Sequence, residues 1–125
     1  MITYTIDKEL KVIFMKGEGI LSPEDLFEVV NRTNLDPDRE EGMNSLVDLS
    51  DARPGKDMDF AGMMRSKEFV SSIQEVRGNC KWALVLPSDL SYGLGRMFSM
   101  LCEGLRIEIQ AFRDMGEARA WLGLE

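Results

Sequence analysis

The sequence predicts an α/β fold with a mixed, mostly parallel five-stranded sheet, in the order β-β-α-β-α-β-α-β-α. Three observations carry that prediction. Two short strand-like segments open the chain with only a polar break between them, as in an antiparallel hairpin. Beyond them, strand-length apolar runs alternate with segments of helical periodicity, which implies parallel strands joined by right-handed crossovers. One run, residues 81–86 (KWALVL), is almost continuously apolar, as a central strand covered on both faces would be.

Each element has its own signal. Residues 2–7 (ITYTID) alternate apolar and hydroxyl side chains with period two. After Asp7-Lys8-Glu9, residues 10–16 (LKVIFMK) form a second strand that Gly17 and Gly19 end. Ser22-Pro23-Glu24-Asp25 reads as a helix start: Ser22 caps, Pro23 suits the first helical position, and Asp25 follows three residues after the cap. That helix covers 23–34, with Leu26, Val29 and Val30 on one face. A short strand at 45–49 (SLVDL) runs into a turn, SDARPGKD. A second helix, 58–76, sets Ala61, Met64, Val70, Ile73 and Val76 at helical spacing, and Gly78 closes it. Strand 81–86 stops at Pro87, and Ser88 or Asp89 caps a helix over 89–103 with a stripe of Leu90, Leu94, Met97, Phe98 and Leu101. Residues 106–112 (RIEIQAF) alternate as an edge strand with one wet face. Asp114 caps a last helix, 115–122, which packs Ala118, Trp121 and Leu122 inward.

At 125 residues the chain suits one domain, 1–125, with a core of its own. No apolar run approaches a membrane span, and MITYTIDKEL lacks the pattern of a signal peptide. With only Cys80 and Cys102, no disulfide framework arises, and a cytoplasmic setting is expected. The net charge of −7 falls entirely in residues 1–63, which hold 14 acidic and 7 basic side chains against 8 of each in 64–125. Without a basic stripe, neither nucleic acid nor stable membrane insertion is expected. The chain has no histidine, which removes Ser-His and Cys-His relays and imidazole metal ligands. No cofactor is expected.

The stretch VLPSDLSYGLGRMF, residues 85–98, resembles a nucleotide loop in composition. A dinucleotide fingerprint, however, places its glycines in the strand-to-helix turn. Gly93 and Gly95 fall four and six residues after Asp89, inside the helical pattern. Each costs the helix about 1 kcal/mol relative to Ala. Close packing of the helix on a neighbour accounts for them better than a phosphate cradle does.

The chain resembles the SpoIIAA-like proteins, small domains related in fold to anti-sigma-factor antagonist (STAS) domains and compared with Sec14-type lipid-binding domains. The resemblance rests on KWALVLPSDLSYGLGRMFSML and AFRDMGEARAWL, supported by GILSPEDL and LVDLSDAR. It implies helices covering mainly one face of the sheet. STAS domains carry Asp-Ser-Ser-Gly at the start of the second helix, and the first serine is phosphorylated. The matching positions read Asp59-Phe60-Ala61-Gly62, so Phe60 occupies the former phosphoacceptor position. Ser50 lies at a nearby strand end, where local turn hydrogen bonds are its ordinary role.

These readings favour a non-enzymatic regulatory or ligand-binding module, with a protein partner or a small apolar or anionic ligand. In open α/β sheets a ligand sits beyond the carboxyl ends of the parallel strands. The candidates there are Ser50, Asp51 and Arg53 after one strand, and Ser88, Asp89 and Tyr92 after the next. Arg96, one turn on, can hold an anion or pair with Glu103 or Asp89. A Sec14-like carrier of a small apolar or lipid ligand is the alternative, supported by Met58, Met63, Met64, Met97 and Met100 on two helices. A carboxylate-dependent enzyme using Asp48 and Asp51 is the second alternative. A homodimer is expected if the sheet face away from the helices stays uncovered, with Ile13 or Met15 exposed on it. The competing arrangement folds the last helix, with Trp121, over that face.

Overall fold

The computed structural model describes residues 1–124. Glu125, the last residue of the expected domain, lies outside the described residues. The elements are β1 (Ile2–Asp7), β2 (Val12–Leu21), α1 (Pro23–Leu35), β3 (Asn44–Pro54), α2 (Phe60–Arg77), β4 (Cys80–Val85), α3 (Asp89–Leu101), β5 (Ile107–Phe112) and α4 (Met115–Trp121). The order is the expected one, and most boundaries move by a residue or two. The five strands form one sheet in the order β1-β2-β3-β4-β5. β1 runs antiparallel to β2, and every other neighbouring pair is parallel.

The largest departure from expectation is at β2 and β3. Gly17 and Gly19 do not end β2, and Ser50–Pro54 is strand rather than turn. The register shifts between Lys16 and Glu18, after which Glu18 to Leu21 pair with Asp51 to Pro54. The shift is a bulge of the kind that re-aims a strand. It carries the two strands past the ends of their neighbours. Gly17 sits in the bend, where a side chain would meet Leu49 and Leu21 at 2.7 and 2.9 Å.

Strand alternation then sorts the core into two layers. One face carries Ile13, Met15, Val47, Trp82, Leu84, Ile107 and Ile109, packed against residues of α1, α2 and α3. The other carries Val12, Leu46, Ala83, Val85 and Phe112, packed against Ala118 and Leu122 at α4, with Trp121 alongside. Helices therefore cover mainly one face, as the resemblance implied. Ile13 and Met15 are not exposed: both are buried under the helical layer. The opposite apolar residues lie beneath α4, where the Trp121 ring packs 5.5 Å from Phe112. The surface on which the homodimer expectation rested is thus the competing arrangement, covered by the chain's own last helix. Toward β1 that face ends in exposed Thr3 and Thr5.

Candidate ligand-binding cavity

α1, α2 and α3 each follow a strand, so their N-termini gather at the carboxyl edge of the sheet. Ser22 caps α1, with its N–H donating to Asp25 at 2.8 Å. Asp59 caps α2 by accepting from the Gly62 N–H at 2.9 Å. Ser88 caps α3 by accepting from the Ser91 N–H at 3.1 Å. The Asp-x-x-Gly spacing thus has a local structural reason. Asp59 satisfies an orphan helix donor, and Gly62 leaves room for the Asp57 carbonyl, which any side chain there would strike. Phe60, between them, is 62% exposed.

The helices do not close down on the sheet at this edge. A cavity of about 140 Å³ opens between the sheet and all three of them. Val47, Leu49, Trp82, Leu84 and Leu86 form its floor, and Leu21 and Pro54, at the ends of the two extended strands, form its rim. The helical walls are Leu26 of α1, Met63 and Ser66 of α2, and Ser91, Leu94, Gly95 and Phe98 of α3. Small residues make the space. On α2 the buried side is Met63, Ser66, Val70, Ile73 and Arg77; of the expected face, Val70 and Ile73 are buried, Met64 is half-buried, and Ala61 and Val76 are exposed. On α3 the buried residues are Ser91, Gly95 and Phe98, while Leu90 and Met97 of the expected stripe are exposed.

Gly95 is where the packing expectation holds, although the neighbour is the sheet rather than a helix. A Cβ there would overlap Leu86 and lie 3.2 Å from the Ala111 Cβ. Among the described residues Gly93 meets nothing within 4 Å, so packing against them gives no reason for it.

The predicted site residues do not converge on this cavity. Arg53 borders it, but Ser50, Asp51, Ser88, Asp89, Tyr92 and Arg96 do not. The Ser50 hydroxyl and N–H both donate to Asp48, at 2.5 and 3.0 Å, a local turn as expected. Asp51 accepts from Lys16 at 2.9 Å. Asp89 pairs with Arg113 at 2.7 Å instead of with Arg96. The Arg113 guanidinium also lies 5.3 Å above the Tyr92 ring. Tyr92 and Arg96 instead line a wider polar depression along α3 and β5, shared with Glu103, Glu108 and Gln110. Of the five methionines considered for an adaptable surface, Met58 and Met63 line the cavity.

Burial disfavours thiolate chemistry. It pushes the Cys102 thiol up to about 11 and raises Cys80 as well, so both stay protonated and poorly nucleophilic at neutral pH. Among the described residues no cluster of Cys, Asp or Glu is placed to hold a metal ion, and no helix is long and apolar enough to cross a membrane.

No family model matches the sequence, and no curated protein matches it either. The fold does have a solved counterpart, an uncharacterised protein of the DUF3478 family with a SpoIIAA-like fold from Shewanella loihica. It superposes with a TM-score of 0.61 at 15% identity, covering 97% of this chain and 93% of that one. The likeness is one of fold, and the fold of this chain is SpoIIAA-like.

Proposed function

We propose that residues 1–125 act as a single SpoIIAA-like module that binds a small apolar ligand without transforming it. The observation that carries this reading is the cavity. It is lined almost wholly by aliphatic and aromatic side chains, lies at the strand edge where open α/β sheets bind ligands, and opens to solvent between helix N-termini. An apolar space of about 150 Å³ takes a benzene-sized group, so one aromatic ring or the end of an aliphatic chain matches the volume. This joins the ligand-binding module to the Sec14-like carrier, and the proposal keeps the cytoplasmic setting expected from the sequence.

The two other readings have less behind them. A phosphorylation switch of the STAS kind has Phe60 where the acceptor would be, and the Ser50 hydroxyl is engaged by Asp48. For an enzyme, Asp48 and Asp51 are both tied to Lys16, at 3.4 and 2.9 Å, outside the cavity. The binding reading makes no use of a second copy of the chain.

Native mass spectrometry of the purified protein tests the reading. An apolar mass that co-purifies with the wild type and is lost in Ala52→Phe, which fills the rim, is the expected result. A ligand retained in folded Ala52→Phe places binding elsewhere and sinks the cavity as the site.

A further inference from the structure

The wall of the cavity carries one hydroxyl with nothing to bond. Ser91 is 8% exposed and faces inward from the first turn of α3. The other helical serines in contact with the core or sheet are committed: Ser66 donates to the Gly62 carbonyl at 3.0 Å, and Ser99 donates to the Ile109 carbonyl at 2.6 Å. The Ser22 hydroxyl, at the rim, donates to Asp25 at 3.2 Å. Ser91 takes part in capping only through its N–H, and its hydroxyl makes no hydrogen bond among the described residues. The Ser91 oxygen is open to the cavity rather than sealed in protein, so a ligand oxygen that displaces solvent there can become its hydrogen-bond partner.

The charge of the ligand follows from what surrounds that hydroxyl. Among the described residues Arg53 is the only charged one on the cavity wall. It stands between the half-buried Ala52 and Pro54 and is itself exposed, as is its cross-strand partner Ile20 at 67%. Strand alternation turns the Arg53 side chain toward the other face. An ionised group held at Ser91 would therefore lose its hydration without gaining a counter-charge, which is costly. A neutral oxygen loses little and gains one hydrogen bond.

We propose that Ser91 is the polar anchor of the cavity, and that the ligand is a neutral, apolar molecule bearing a single hydroxyl or carbonyl oxygen. This rests on the cavity reading above and narrows it to one chemical class. Ser91 fixes orientation, while the apolar walls supply most of the binding.

Three probes of one size separate the possibilities: toluene, benzyl alcohol and benzoate. Their binding is followed at pH 7 through the indole N–H resonance of Trp82 in the cavity floor, with that of Trp121 across the sheet as the unaffected reference. Toluene and benzyl alcohol both bind the wild type, and benzoate binds at least about tenfold more weakly than benzyl alcohol. Ser91→Ala keeps the Ser88 cap bond through its N–H. It weakens benzyl alcohol about fivefold and leaves toluene within about twofold. Loss of both ligands together would mean that Ser91 only shapes the wall, and unchanged benzyl alcohol affinity would remove it as anchor. Benzoate binding as tightly as benzyl alcohol would overturn the neutral class. Failure of all three to move the Trp82 resonance of the folded wild type would instead reject the cavity reading itself.

Discussion

The layer between the helices and the sheet is filled at one end and open at the other, and Trp82 stands between the two. At the amino edge of the sheet, Arg77 from the last turn of α2 is 1% exposed. Its guanidinium donates to Thr33 Oγ1 at 2.8 Å, Asn34 Oδ1 at 3.1 Å and Ser45 Oγ at 2.9 Å, and lies 5.3 Å from the Trp82 ring centre. At the carboxyl edge the same helix presents Ser66, and α3 presents Ser91 and Gly95, so the space stays empty of protein. One helix thus closes one end with its longest buried side chain and opens the other with a short one. The open end cannot be ascribed to helices splayed throughout, because the closed end packs the same α2 against the same strands. Burial depresses the Arg77 pKa to about 10, with Arg39 adding to the depression and Cys80 opposing it. The group is still charged at neutral pH, held by neutral oxygens and an aromatic face.

The largest effect belongs to the closed end. Arg77→Ala empties that space and strips the Ser45 hydroxyl and the Asn34 carbonyl oxygen of a partner. Cavity formation and lost hydrogen bonds together cost about 3 kcal/mol or more, read as a lower urea midpoint. Arg77→Met keeps most of the volume and removes a buried cation. Replacing buried charge by apolar bulk is often close to neutral, and the loss is expected to stay near 1 kcal/mol. Equal losses in the two variants would show that the hydrogen bonds, not the filled volume, close this end.

The open end is sharpened by its two glycines. Ala at Gly93 enters open space and gains helix propensity, which stabilises by about 0.5–1 kcal/mol. Ala at Gly95 gains the same propensity but drives against the Leu86 side chain. Leu86 borders the cavity and can turn into it. The expected outcome is a stability change within about 1 kcal/mol, together with loss of the apolar ligand, since the displaced methyl groups occupy its place. Thermal unfolding gives the first quantity and toluene titration the second. Severe destabilisation of Gly95→Ala would mean that the space beside Leu86 is not available.

The sequence disclosed the closed parts of the molecule better than the open one. Element order, hairpin, caps and central strand were all legible, because apolar periodicity and cap chemistry are local. The cavity was not, because what makes it is the absence of bulk at inward positions. Ser66, Ser91 and Gly95 carry no apolar signal, so an apolar stripe drawn along α3 found Phe98 but also admitted Leu90 and Met97, which face solvent, and passed over the inward Ser91 and Gly95. Arg77 was missed for the same reason: a charge at a heptad step from Val70 reads as surface. The inward spacing of Met63, Ser66, Val70, Ile73 and Arg77 could have been found by following period alone and ignoring polarity. The extended ends of β2 and β3 were hidden by glycines and a proline that signal turns, whereas here a bulge lets pairing resume.

Among the described residues neither end of this layer holds a carboxylate: the partners of Arg77 are neutral, and the cavity wall carries no acid. Acid sensitivity must therefore come from elsewhere, and Asp48 is one source, on the α4 face of the sheet beside Lys16. Desolvation raises its pKa, but the Ser50 hydroxyl, the Ser50 N–H and Lys16 together outweigh that and hold it below the usual value. A carboxylate with a depressed folded pKa contributes stability above its unfolded value, near 3.9 for Asp, and loses it as pH falls through the folded value. The contribution is small, because Lys16 is 44% exposed and a partly solvated pair gives at most about 0.5 kcal/mol. Asp48→Asn is expected to lower the urea midpoint slightly at pH 7 and to converge with the wild type at an acidic pH below the folded pKa of Asp48, where the wild-type carboxyl is also neutral. A gap of the same size at both values would show that Asp48 acts through the shape of the β3 bend rather than through its charge. Ligand binding in the cavity should be unchanged by this substitution, since Asp48 does not line it.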